Sequence, residues 1–203
     1  MADGREKIQI HRGLQGVHFD RSRVCFIDGR AGELLYRGYS IHDLAEHSTF
    51  EETCYLLLKG ELPTQAKLDA FDVEMKAART LPPEIIDLVR TVRSAHPMDV
   101  LRTAVSALAA FDPDTADNSP EATLRKGVRL TSQVPMIVAA HEAIRHGREP
   151  GRADPRLSHA ANFLQMLTGK PASAAAVRLM DVDMILHAEH GSNASAFTAR
   201  VRF

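Results

Sequence analysis

From Ser40 onward the chain is punctuated by helix starts and stops and by few signals of any other kind, which commits most of its length to packed helices. Ser40 heads a short helix through Ala45. Ser48-Thr49-Phe50-Glu51 reads as a capping box, a Ser and a Glu three apart, and the helix behind it runs through Leu56-Leu57-Leu58 to Gly60, ahead of Pro63. Thr64 caps the next, with Leu68, Phe71 and Met75 as its core stripe. Pro82-Pro83 opens another, with Ile85, Ile86, Val89 and Val92 inward. After His96-Pro97, the residues Met98, Leu101, Val105 and Leu108 recur at i, i+3, i+7 and i+10, predicting an amphipathic helix from Met98 to Phe111. Ser119-Pro120-Glu121 combines a cap, an N1 proline and an N-terminal acid, so a long helix starts there and can run to His146 with a kink at Pro135. Its far half, Met136 to Ala140, is apolar on more than one side and belongs either at the centre or against another subunit. Leu157 to Leu164 reads as a short helix ending at Gly169, and Ser173 caps the one after it.

Strand signals are confined to about residues 17–37. Val24-Cys25-Phe26-Ile27 and Glu33-Leu34-Leu35-Tyr36 are apolar runs, and the Asp28–Gly32 segment between them suits a hairpin loop. The fold class is therefore all-α with a small N-terminal β element. Residues 1–12 read as a flexible tail, and 13–203 as one domain, for which 203 residues suffice. A formal net charge of -1 gives no electrostatic argument for nucleic acid or an anionic membrane. No apolar run approaches the ~18 residues of a membrane span, and the first residues lack the apolar stretch of a secretory signal. Cys25 and Cys54 have no CxxC spacing and read as free buried thiols in a reducing cytoplasm.

One stretch carries chemistry: His187-Ala188-Glu189-His190-Gly191-Ser192-Asn193-Ala194-Ser195. Ahead of it Val177, Met180, Met184 and His187 fall on one helical stripe, and Gly191 can supply the left-handed residue that ends the helix. Asn193 or Ser192 can then cap a second helix from Ala194. A helix end with two histidines, followed by a helix start with free N–H groups, suits an anionic ligand. His187 reads as a hydrogen-bonded packing residue. Zinc does not fit: the helical metalloprotease pattern needs two histidines four apart with Glu directly after the first, and here the spacing is three with Glu before the second.

HAEHGSNASAFTAR resembles the central signature of the citrate synthase family, in the short bacterial form shared by citrate and 2-methylcitrate synthases. GLQGV, FIDGRAGELLYRGYSI, FEETCYLLLKGELP, AHPMDVLRTAVSAL and LSHAANFLQML resemble further landmarks of that family in the same order. The resemblance implies a large-domain helical fold, a homodimer, and acetyl-CoA and oxaloacetate as substrates, with no other cofactor and no metal. It implies that His190 is catalytic, donating a hydrogen bond to the thioester carbonyl as the enol forms, as in an oxyanion hole. That role calls for a neutral imidazole, which burial would favour. His159 resembles the histidine that contacts oxaloacetate; a cap or a satisfied backbone group is the plainer role for it. Asn193 can bind substrate or cap the following helix, and the cap is the stronger reading. His96 reads as a helix-start residue near a dimer seam, Arg200 and Arg202 as solvated, and His42, His47, His141 and His146 as surface or interface residues.

The family's second histidine, in a G-P-x-H-G-G-A-N motif, and its later aspartate base have no counterpart in this sequence. The resemblance thus implies about the N-terminal half of a citrate synthase, without the small domain and the C-terminal helices. Three functions follow as expectations: a citrate synthase-like acyltransferase of the tricarboxylic acid cycle in truncated form, a 2-methylcitrate synthase using propionyl-CoA, or a non-catalytic truncated paralogue acting by helix-mediated dimerisation. His190 and His159 are expected to face one cleft.

Overall fold

A computed structural model describes residues 21–201. The expected tail, the first residues of the 17–37 strand region and Arg202 lie outside them. Among the described residues, β1 (Cys25–Asp28), β2 (Glu33–Tyr36) and β3 (Tyr39–Ser40) precede α1 (Ile41–His47), α2 (Phe50–Lys59), α3 (Gln65–Ala77), α4 (Pro83–Thr91), α5 (Pro97–Leu108), α6 (Pro120–Arg145), α7 (His159–Thr168), α8 (Ala174–Leu186) and α9 (Ala194–Val201). The mainly helical architecture with an N-terminal β element is as expected.

The three strands form one antiparallel sheet, with Cys25 opposite Tyr36 and Asp28 opposite Glu33. The Asp28 carboxylate accepts from the N–H groups of Arg30 and Ala31 and so closes the hairpin loop. Pairing extends past residue 37 because Arg37 and Gly38, at φ 52° and 93°, make a second tight reversal into Tyr39.

α6 is the axis. Its Ile137 and Ile144 pack with Ile85 and Val89 of α4 and with Val100, Ala104 and Leu108 of α5. Val128 packs with Phe71 and Met75 of α3, and with Cys54 and Tyr55 of α2. Met136 and Ala139 meet Met166 of α7. A separate cluster joins Tyr36, Ile41 and Leu44 to Leu56 of α2 and Ile185 of α8. The central placement open to Met136–Ala140 is thus the one observed. Pro135 lies inside α6, and the helix continues past it to Arg145.

Several local expectations shift. α2 is capped by Thr49, not Ser48: the Thr49 hydroxyl accepts from the N–H of Glu52. The Ser48 hydroxyl instead reaches Glu52 Oε2 at 2.7 Å. On α5 the buried stripe is Val100, Ala104 and Leu108, while Met98 is 63% exposed. Ala104 weighs little as an apolar signal, but its small side chain fits the seam with α4 and α6. On α8, Asp181 and Ile185 are buried and His187 is exposed. Asp181 turns inward because it serves another helix: its Oδ1 accepts from the N–H of Phe50 at 3.0 Å. Cys54 is buried, but Cys25 is only half-buried; both are free. His141 is buried rather than superficial, with Nε2 3.2 Å from the Arg93 carbonyl.

Candidate active site

His159 is the first residue of α7. The Ser158 hydroxyl caps this helix through the N–H of Ala161, so the cap role considered for His159 belongs to its neighbour. Another first-turn N–H, that of His159, donates to Glu51 Oε1 at 2.7 Å in the interior. The His159 ring lies tilted over Phe50, centroids 5.1 Å apart, and neither ring nitrogen has a hydrogen-bond partner. The residue is 0% exposed. Burial, reinforced by the guanidinium of Arg79, lowers its pKa from 6.5 to about 4, so the imidazole is neutral at neutral pH.

Arg79, between α3 and α4, is buried as well. Its Nη1 donates to the carbonyls of Leu157 at 2.9 Å and Asp154 at 3.4 Å, while Nε and Nη2 are unpartnered. Burial pulls the guanidinium pKa down, with Glu51 and Asp72 opposing; burial pushes that of Glu51 up. Glu51, Arg79 and His159 thus form a buried polar group. Sequence reading singled out neither Arg79 nor this role for Glu51. Glu51 was visible only as a capping-box acid, and Arg79 carried no signal beyond being a charge between two helices.

α8 braces this corner. Arg178 Nη1 pairs with Asp181 Oδ2 and also reaches the Ser48 carbonyl, both at 3.0 Å, while Nη2 reaches the carbonyls of Ala45 and Glu46. A cation meets the C-terminal end of α1 and an anion the N-terminal end of α2, as the helix dipoles favour.

The helix before His190 ends earlier than expected, at Leu186 with His187 as its C-cap. Gly191 is left-handed, at φ 74°, but within the loop rather than at the helix end. His187 is exposed, and its Nδ1 lies 2.8 Å from the Asp183 carbonyl. His190 is also exposed, so the burial expected of it is not met. Its loop is nevertheless held. The fully buried Tyr36 places its hydroxyl 3.2 Å from the carbonyls of Ile185 and Leu186 and 3.0 Å from that of Glu189. The same hydroxyl accepts from the Glu189 N–H at 3.1 Å. The Glu189 carboxylate accepts from the N–H of Gly191 at 2.6 Å and from the Cys25 thiol at 3.5 Å. Asn193 caps α9, its Oδ1 accepting from the N–H of Ala196 at 2.8 Å.

His159 is sealed in the interior, and His190 is exposed. A cavity of about 550 Å³ opens between the α3–α4 junction, α6 and the 147–153 segment; its lining includes Arg79, Ile86, Met136 and Arg152 but neither histidine. Among the described residues, no three of His, Cys, Asp and Glu are grouped as a metal would need, and no helix is long and apolar enough to cross a membrane.

Residues 13–202 match the family model described as citrate synthase, C-terminal domain. A citrate synthase of Deinococcus radiodurans is 44% identical over 193 residues, 94% of this chain and 51% of the relative. A 2-methylcitrate synthase of Mycobacterium tuberculosis is 40% identical over 197 residues, 97% of this chain and 50% of the relative. The crystal structure of citrate synthase from Pyrobaculum aerophilum superposes with a TM-score of 0.90 at 38% identity, covering 95% of this chain and 50% of that one. The chain spans about half the length of the curated relatives it matches.

Proposed function

The chain belongs to the citrate synthase family, and from that premise we propose that it serves the condensation of acetyl-CoA with oxaloacetate, with His190 as the enol-stabilising group. The observation that carries this reading is the exposed imidazole of His190 on a loop whose flanking peptide groups are tied down, between the end of α8 and the capped start of α9. A fixed donor acts where negative charge develops: a base takes a proton from the thioester methyl group, and His190 donates to the thioester oxygen as the enol forms. The enol carbon then attacks the ketone carbon of oxaloacetate, and hydrolysis of citryl-CoA releases CoA. His159, neutral and sealed beside Arg79, shapes the oxaloacetate side of the site, and Asn193 sets the start of α9. The family's base and second histidine have no counterpart in this sequence. Propionyl-CoA is the alternative acyl donor, and relatives of both names align over 94% and 97% of this chain.

The protein works as a homodimer, with the exposed Met98 face of α5 in the seam. Two free thiols suit the cytoplasm. Reaction of released CoA with DTNB tests the chemistry. Residues 1–203 alone give no enzymatic rate, because losing one general acid or base already costs ~100- to 10,000-fold. Supplied with the other half of a citrate synthase relative, they turn over acetyl-CoA and oxaloacetate, and His190→Ala abolishes it. Turnover indifferent to His190→Ala overturns the reading, and none in either format favours a non-catalytic role through helix-mediated dimerisation.

A further inference from the structure

We propose that Tyr36 and Glu189 are positioning residues for His190: the hairpin holds the peptide group before that histidine, and the Glu189 carboxylate holds the one after it. The inference rests on His190 being the enol-stabilising group, and it assigns work to the N-terminal sheet.

The last carbonyls of an α-helix lack intrahelical partners, so a helix that gives way to a functional loop tends to fray. Here α8 stops at Leu186, and the Tyr36 hydroxyl lies within 3.2 Å of the carbonyls of Ile185 and Leu186. A single hydroxyl hydrogen serves one acceptor at a time, while the oxygen accepts from the Glu189 N–H at 3.1 Å. The Glu189 carbonyl, 3.0 Å away, belongs to the peptide bond that carries the His190 nitrogen. One oxygen thus grips both peptide groups of Glu189.

On the far side, the Glu189 carboxylate accepts from the N–H of Gly191 at 2.6 Å, and Gly191 has the left-handed φ of 74° that turns the chain back. Cys25, on the neighbouring strand of the hairpin, donates its S–H to the same carboxylate oxygen at 3.5 Å. His190 therefore lies between two fixed peptide groups while its own ring stays exposed. Tyr36 is itself fully buried, packed among Ile41, Leu44, Leu56 and Ile185. The arrangement reads as a rigid mount for an exposed donor, the property an oxyanion-stabilising group needs.

Amide exchange and the His190 ring resonance of labelled 1–203 test this without requiring turnover. Tyr36→Phe keeps the ring and removes the grip; Glu189→Ala removes the second hold, and Glu189→Gln restores an acceptor oxygen. Tyr36→Phe is expected to speed exchange at the Glu189 amide by about tenfold or more and to shift the His190 ring signal, while the amides of Val89 and Ile137 in the α4–α6 core keep their protection. Glu189→Ala frees the Gly191 amide, and Glu189→Gln protects it again. In the assay with the other half supplied, Tyr36→Phe lowers kcat by about 10- to 100-fold with KM for oxaloacetate little changed. Unaltered amides and His190 signal in Tyr36→Phe overturn the proposal, as does loss of protection spread through the core, which would make Tyr36 only a packing residue. Because the exchange readout needs no catalysis, it decides on positioning even where the condensation assay fails.

Discussion

His159 folds with its imidazole sealed beside a guanidinium, and the consequence is a dependence of stability on pH. A histidine whose folded pKa lies near 4, against 6.5 in the unfolded chain, binds fewer protons folded than unfolded between those values. Its contribution is present above about pH 6.5 and is lost as the pH falls toward 4; at 1.36 kcal/mol per unit, the full loss is roughly 3 kcal/mol. Urea titrations of wild type and His159→Gln at pH 7.5 and 4.5 should show this component in the wild type alone. Glu51 works in the opposite sense: burial raises its pKa, so its ionisation as the pH rises through the folded value costs stability. Its acceptor role is separable from its charge. Glu51→Ala leaves the His159 N–H unsatisfied and should lower unfolding free energy by about 2 kcal/mol, whereas Glu51→Gln keeps an acceptor and should lose less than about 1 kcal/mol.

At the scale of elements, the start of α2 shows why a cap must be located and not merely recognised. Both Ser48-x-x-Glu51 and Thr49-x-x-Glu52 satisfy the pattern, and two adjacent acids made the register ambiguous. The later one prevails because it releases Glu51 to reach α7 and leaves the Phe50 N–H for Asp181. Thr49→Ala should therefore cost about 1 kcal/mol in chemical denaturation, the ordinary worth of an N-cap. α2 ends at Gly60 with φ 91°, and Gly60→Ala should cost about 1 kcal/mol through backbone strain, since a Cβ there would meet only the far end of Arg37.

For the whole molecule, the apolar richness of the far half of α6 is consumed internally. Met136, Ile137, Ala139, Ala140, Ala143 and Ile144 are buried against the chain's own helices. The large apolar side chain that α5 leaves exposed is Met98, so the proposed seam rests on that face. Sedimentation velocity at micromolar concentration should show a dimer for 1–203, shifted toward monomer by Met98→Glu. A monomer in the wild type would remove the dimer from the proposal.

Element type and order were legible in the sequence because caps, prolines, glycines and the 3.6-residue period are local signals: the hairpin, the helix starts at Ser119 and Ser173 and the cap at Asn193 all lie where those residues put them. The family was legible for a related reason, since several landmark segments recur in order along one chain. What tertiary structure alone decided is which face of each helix is buried and which polar groups meet. The inward turn of Asp181, the stripe on α5 that passes through Ala104, the sealing of Arg79 and His159 and the grip of Tyr36 on Glu189 all join residues far apart in the chain. Periodicity reports how apolar a face is, but burial also depends on which neighbour arrives and on whether its unpaired N–H and C=O groups need a partner. A tyrosine at the end of a strand looks like core; only the fold shows that its oxygen holds the loop that carries His190.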